Sequence, residues 1–380
     1  MRIILIGNQH RKYIVDTYLK IKPKNIEIVY IIDDDMQEKD VSYLGLSIIS
    51  LKSLLIDGIV ESDAVMIITS HNHFVENILL KLKGKYKGQI FIPKLFVLDK
   101  ELPLWNEEGI VNENIVAVHT DDNFLVHVET HILDYCNLNC KACNNFSPFV
   151  KEKRIASVDN LRKDLKRLKW LFSGIGRFFL LGGEPLLDVK LTEEFIKIVR
   201  QELPNTEIRL LTNGLLVPNM TSEFWKEIRN NNVNIYISAY PPTIKKIDLI
   251  SRVLDDEKID WIISQEVHGF VKRLTENPFE DGDISNNLCG SSGCHYLRDG
   301  KLAKCPDSVL VKEYDREFGT SLYQNDEIDI YQEKSASDIL EKLAAPCKLC
   351  SYCAIDRQCT IPWERVQRKI KREDWILSHS

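Results

Sequence analysis

The chain reads as α/β, with two successive strand and helix series followed by a small cysteine-rich segment. Three observations predict this. Short β-branched runs alternate with amphipathic stretches over residues 1–120 and again over 121–285. Over residues 286–380 that alternation gives way to cysteine, glycine and short turns. At 380 residues, 44% hydrophobic and 28% charged, the chain is long enough for two or three units that each bury a core, and its composition excludes a disordered, collagen-like or coiled-coil protein.

Within residues 1–120 the run RIILI predicts a first strand and Tyr13 to Lys20 a helix. IEIVYII then predicts a strand, Leu51 to Asp57 a helix, AVMIIT a strand and Phe74 to Leu82 a helix. Strand and helix at this pitch predict a Rossmann-like parallel sheet. Its first turn, Gly7-Asn8-Gln9-His10, lacks the repeated glycines of a dinucleotide fingerprint. Asp33, Asp34 and Asp35 follow the second strand, where a ribose-binding acid would stand; as plain chemistry they read as loop caps. His71 and His73 read as polar loop residues.

The second series opens with LVHVETHIL at Leu125 and continues with RFFLL, EIRLLT, VNIYISAY and DWIIS. Helical patterns around 157–172, 191–202, 222–230 and 243–254 separate them. Such units predict a partial (β/α)6 TIM barrel with its chemistry at the C-terminal strand ends. The stretch Glu364 to Trp375 predicts a basic helix with a solvated face. Residues 286–380 show too few periodic apolar positions for a core and are expected to depend on bound metal for order.

A net charge of -6 is too small to suggest a nucleic-acid partner, and no apolar run approaches the ~20 residues that span a bilayer. The N-terminus carries no export signal, so a cytoplasmic location is expected, in which the ten cysteines stay reduced and free for metal or redox chemistry.

The first strand of the second series leads into Cys136-Asn-Leu-Asn-Cys140-Lys-Ala-Cys143, three thiols in one loop. Three thiolates on a cubane leave one iron without a protein ligand, whereas a structural zinc or cluster site normally closes its shell with four. The C-x3-C-x2-C spacing after a barrel strand resembles the radical S-adenosylmethionine (SAM) superfamily. The resemblance implies a [4Fe-4S] cluster whose open iron binds the amino and carboxylate groups of SAM. Ala142 stands where the family usually carries an aromatic, a departure that bears on packing near the adenine and not on ligation. Gly182, Gly183, Glu184 and Pro185 follow the second barrel strand, where the family's turn meets the methionyl amino group; the glycines let backbone approach a ligand closely. Thr212-Asn213-Gly214 and Ser238-Ala239-Tyr240 end the third and fourth strands. The resemblance implies SAM contacts from Asn213 and Ser238.

Seven cysteines remain: Cys289, Cys294, Cys305, Cys347, Cys350, Cys353 and Cys359. Cys289 to Cys305 reads C-x10-G-x4-C and resembles the first half of the auxiliary-cluster domains called SPASM and twitch. The later x2, x2 and x5 steps resemble SPASM, but Trp363 stands where its final cysteine would be. The resemblance implies at least one auxiliary [4Fe-4S] cluster, with Cys289, Cys305 and two later thiols as a twitch-like set; two clusters on the seven thiols, one with an open iron, and a four-thiol zinc site are the alternatives. The expected function is reductive cleavage of SAM to a 5'-deoxyadenosyl radical that takes hydrogen from a sugar, nucleotide-sugar or other small metabolite, for oxidation, epimerisation or rearrangement. A flavodoxin- or ferredoxin-type donor is the expected electron source. Peptide modification is the alternative substrate reading, and a non-catalytic metal-binding scaffold the alternative of another class.

Overall fold

The computed structural model describes residues 1–7, 11–33, 42–56, 64–69, 72–367 and 369–377. The chain divides into two compact units, Met1–Val126 and His127–Ser380. Asn8, Gln9, His10, Asp34, Asp35 and His71 lie outside the described residues, as does the side chain of His73.

In the first unit the strands are β1 (Arg2–Ile6), β2 (Glu27–Ile32), β3 (Ser42–Tyr43), β4 (Leu46–Ile49), β5 (Ala64–Ile68), β6 (Ile90–Pro93) and β7 (Ile115–Val118). They form one sheet in the order β3-β4-β2-β1-β5-β6-β7, parallel from β4 to β6 with antiparallel strands at both edges. This is the doubly wound order that the alternating pattern predicts. The two-residue period explains the two cores. Ile4, Ile6 and Ile32 pack on one face with Met66 and Val75, while Ile3, Leu5 and Ile31 pack on the other with Ile14 and Trp105. Asp33 is held by the Arg11 guanidinium.

The second unit is built on β8 (Phe124–Leu133), which begins in the first unit, and on β9 (Gly174–Gly182), β10 (Glu207–Thr212), β11 (Val233–Ile237) and β12 (Trp261–Ile263). Farther along lie β13 (Gly269–Lys272), β14 (His295–Arg298), β15 (Lys301–Ala303), β16 (Ile328–Asp329) and β17 (Cys359–Pro362). An eight-stranded sheet runs β12-β11-β10-β9-β8-β14-β15-β16, and β13 pairs only with β17. The helices Val158–Leu171 and Val189–Glu202 follow β8 and β9, with Ser157 and Asp188 accepting backbone N–H bonds at their N-termini. In the first of them Leu161, Leu165 and Leu168 are buried at helical spacing.

The strand and helix order supplies five barrel strands, and the sixth parallel strand differs in origin from the expected βα unit. It is β14, from the cysteine-rich stretch, lying beside β8 at the opposite edge from β12. The same stretch has more core than its pattern predicts: Tyr296, Val309, Leu310, Tyr314, Leu349, Trp375 and Ile376 are buried with Phe146, Phe149 and Leu274. Its apolar residues come from separate short elements, so no single window shows their periodicity.

The basic helix expected over Glu364 to Trp375 is not found among the described residues, which form a 3-10 turn at Arg372–Asp374. The backbone is drawn instead into bonds with the first cysteine loop: Lys141 N to Glu364 O at 2.8 Å, Val366 N to Asn139 O at 2.9 Å, and a bridge between Cys140 and Arg365. Helix propensity is a weak prior and yields to such tertiary pairing.

Candidate active site

The cysteine loop leaves β8 directly, so the rigid strand sets its origin. Asn139, Ala142 and Phe146 take the left-handed conformation, at φ 52°, 54° and 52°, which turns the loop tightly enough to gather its side chains. Leu138, Cys140, Ala142 and Phe270 form a buried cluster, against which Cys136, Cys143, Tyr240, Ile361 and Trp363 pack. Burial, together with the neighbouring thiols, pushes Cys136 and Cys140 up to about 12, and burial also raises Cys143. Thiols this buried need a cation or metal to ionise.

Donors are already in place for three thiolates. Leu138 N lies 3.4 Å from Cys136 Sγ, and the indole N–H of Trp363 lies 3.2 Å from Cys140 Sγ. Backbone N–H groups of Asn145, Phe146 and Ser147 reach Cys143. Three thiols packed around one small apolar cluster, with N–H donors beside Cys136 and Cys140, fit a cluster with three protein ligands.

Gly182, the last residue of β9, and Gly183 pack closely against the start of the loop. A Cβ on Gly182 would meet Leu133 O at 2.1 Å, and one on Gly183 would meet Tyr135 O at 2.0 Å. The gap is closed by Gly183 N to Leu133 O at 2.8 Å and Glu184 N to Tyr135 O at 3.1 Å. Gly183→Ala is therefore expected to displace the residues leading into Cys136, at a cost of roughly 1–3 kcal/mol. Thermal unfolding and iron retention measured together check this; a variant that melts and holds iron like wild type would refute the close-packing role.

Glu184 is fully buried. Its Oε1 accepts from Thr212 Oγ1 at 2.6 Å and Leu186 N at 3.1 Å, and its Oε2 accepts from Asn213 N at 2.8 Å. Burial raises its pKa and these bonds oppose the rise. The carboxyl thus ties the turn Pro185–Leu187 to the end of β10. Asn213 Nδ2 donates to Asn137 Oδ1 at 2.7 Å, linking that strand end to the cysteine loop. Ser238 is half-buried beyond β11, its N–H donating to Thr212 O at 2.9 Å. Gly182, Gly183, Glu184, Pro185, Asn213 and the three cysteines therefore form one bonded assembly, with Ser238 on its border.

Of the other seven thiols, Cys289, Cys305, Cys347, Cys350 and Cys353 line a single cavity with Arg273 and Asp307. Cys347 Sγ and Cys350 Sγ are 3.6 Å apart, and Arg273 Nη2 meets Asp307 Oδ2 at 2.6 Å. The sulfur of Cys294 and one ligand atom each of His127 and Glu129 lie within 4.8 Å of one another, and Cys289 and Cys305 also act on it. Cys359 is exposed on β17, opposite Lys272 and away from the cavity. Trp363 carries no signal as a site residue in the sequence beyond its place where a cysteine was due. Phe270 carries none, because its strand pairs with a partner some 90 residues distant.

Residues 130–257 match the family model of the Radical SAM superfamily. The chain carries a radical SAM domain over these residues. That domain contains the cysteine loop, the Gly-Gly-Glu-Pro turn and both later strand ends. Similar proteins include GTP 3',8-cyclase of Sulfurovum sp. (strain NBC37-1), 27% identical over 134 residues that cover 34% of this chain and 40% of the relative. Another is FeMo cofactor biosynthesis protein NifB of Azotobacter vinelandii, 24% identical over 129 residues covering 32% of this chain and 26% of the relative. The chain thus matches less than half the length of these relatives. A crystal structure of BtrN in complex with AdoMet and 2-DOIA superposes on 60% of this chain and 92% of its own, with 17% identity and a TM-score of 0.40. Proteins with a radical SAM domain hold a [4Fe-4S] cluster and SAM. No described helix is long and apolar enough to cross a membrane.

Proposed function

We propose that the protein is a radical SAM enzyme acting on a small metabolite of the sugar or nucleotide-sugar class, by oxidation, epimerisation or rearrangement. The observation that carries the reading is the loop of three thiols, Cys140 buried and Cys136 and Cys143 half-buried, supplied with N–H donors and locked to the turn at Glu184. When bound, the cluster and SAM supply a 5'-deoxyadenosyl radical able to take hydrogen from an unactivated C–H bond. The chain's own work is positional. Cys136, Cys140 and Cys143 would hold the cluster through three of its irons. Glu184 and Asn213 keep the adjoining turns in register, so that Gly182 to Pro185, Asn213 and Ser238 form the SAM-facing rim, and Tyr240, Phe270 and Trp363 close the loop against water.

Residues 286–380 act in this reading as an auxiliary iron-sulfur region, with Cys289, Cys305 and two of Cys347, Cys350 and Cys353 as ligands of a [4Fe-4S] cluster. Electrons come from a flavodoxin- or ferredoxin-type donor in the reducing cytoplasm. The reading is tested by electron paramagnetic resonance of the anaerobically reconstituted, reduced protein. Addition of SAM is expected to change the signal of one cluster; a spectrum indifferent to SAM would refute an open iron.

The indole of Trp363 bears on the same cluster. An N–H bond to a cluster sulfur stabilises the reduced, more negative state, so Trp363→Phe is expected to hold the same iron with a more negative midpoint potential. A redox titration checks this, and an unchanged or more positive midpoint would contradict it.

A further inference from the structure

Beside the C-terminal end of β8 lies a pocket of about 460 Å³, within the size range of small-molecule sites. Its wall includes Arg154, Tyr296, Arg298, Lys301, Lys312 and Tyr323, with the acids Asp299 and Glu327. It adjoins the cysteine loop through Asp134, two residues before Cys136. Asp134 accepts from Arg154 Nε at 2.6 Å and from Arg298 Nη1 at 2.8 Å.

Both arginines and Lys301 of this wall are paired with carboxylates. Arg154 and Arg298 share Asp134, and Arg154 also meets Glu313 at 2.7 Å. Lys301 meets Asp329 at 2.9 Å. Asp299 accepts from Asn160 at 2.7 Å, and Glu327 accepts from the Tyr323 hydroxyl at 2.9 Å. Lys312 is half-buried and makes no ion pair within 4 Å among the described residues; Arg154 and Arg298, and the carboxylates Glu313 and Glu327, act on it from farther away. Burial, with the charges of Arg154 and Arg298, lowers its pKa, and Glu313 and Glu327 oppose the fall. A half-buried lysine with no carboxylate in contact leaves its donors open to an anion entering the pocket.

We propose that this pocket binds the oxyanion group of a sugar-sized ligand, a phosphate ester or a carboxylate, with Lys312 as its charge partner. That the ligand is the substrate rests on the function proposed above. The polar wall would hold the remaining hydroxyls, and the place beside Asp134 would set the ligand at the barrel rim where the cysteine loop begins.

Calorimetry on the anaerobically reconstituted protein tests this, with glucose 6-phosphate, gluconate and uncharged glucose as probes. Binding of either anion but not of glucose is expected, and the stronger anion identifies the oxyanion. Lys312→Met is expected to weaken that binding roughly 10- to 150-fold, the loss of a charge-assisted bond, while Lys312→Arg stays within about threefold. Raising the salt should weaken wild-type binding, a reading that needs no variant. Equal binding of glucose, no binding of either anion, or undiminished binding by a folded Lys312→Met protein would overturn the proposal. Cleavage of SAM by the wild-type protein is read separately: anion binding without any cleavage would contradict the proposed function and still support the pocket.

Discussion

A protein in which Cys136, Cys140 and Cys143 are all replaced by Ala is expected to form no 5'-deoxyadenosine above background and to retain about four irons per chain of the wild type's eight or more. The loss should be complete because the three sulfurs come from one short loop. Neither Trp363 nor the backbone donors can replace a sulfur ligand. The surviving iron follows from separate anchoring: the cavity of Cys289, Cys305, Cys347, Cys350 and Cys353 draws on none of the loop's thiols. The core around Val309, Tyr314 and Leu349 should keep that region folded in the variant. Iron and sulfide analysis beside product assay checks both halves. Cleavage at the wild-type rate would remove the loop from the chemistry, and loss of all iron would remove the auxiliary cluster.

Replacing Glu184 by Gln is expected to weaken SAM binding roughly 10- to 150-fold, the range for removing a charge-assisted hydrogen bond of about 1.5–3 kcal/mol. Three donors converge on this carboxyl, from Thr212, Leu186 and Asn213. An amide cannot serve them all, because its NH2 would face a donor. The nearest consequence is a shift of the Asn213 backbone and of its side-chain bond to Asn137, and with them the register of the cysteine loop. Equilibrium binding of SAM to the reconstituted variant checks this. Unchanged affinity would show that the turn keeps its form without the charge and would place Glu184 outside the site's machinery.

The residues that hold the site were legible in proportion to how locally they are determined. β10 matches its predicted run, Glu207 to Thr212, because its alternation and bounding turns lie within one window. The cysteine loop and the Gly-Gly-Glu-Pro turn were legible as spacings, but the reason for Gly183 was not. It answers to Tyr135 O, a group nearly fifty residues away in sequence. The same limit hid β13 and β17, whose pairing joins Lys272 to Cys359. It also produced the expected helix at the C-terminus, where Glu364 and Val366 are bound by Lys141 and Asn139 instead of by their own neighbours. Seven thiols of one composition could not be sorted by spacing alone. Folding sends five to a common cavity, Cys294 to His127 and Glu129, and Cys359 to an exposed strand.

Incubation of the anaerobically reconstituted wild-type protein with SAM and a strong reductant, followed by measurement of 5'-deoxyadenosine, shows whether the three thiols hold a cluster with one iron free for SAM. Methionine and 5'-deoxyadenosine are expected in equal amounts, formed only when reductant and cluster are both present. A fully reconstituted, reduced protein that leaves SAM intact would contradict this.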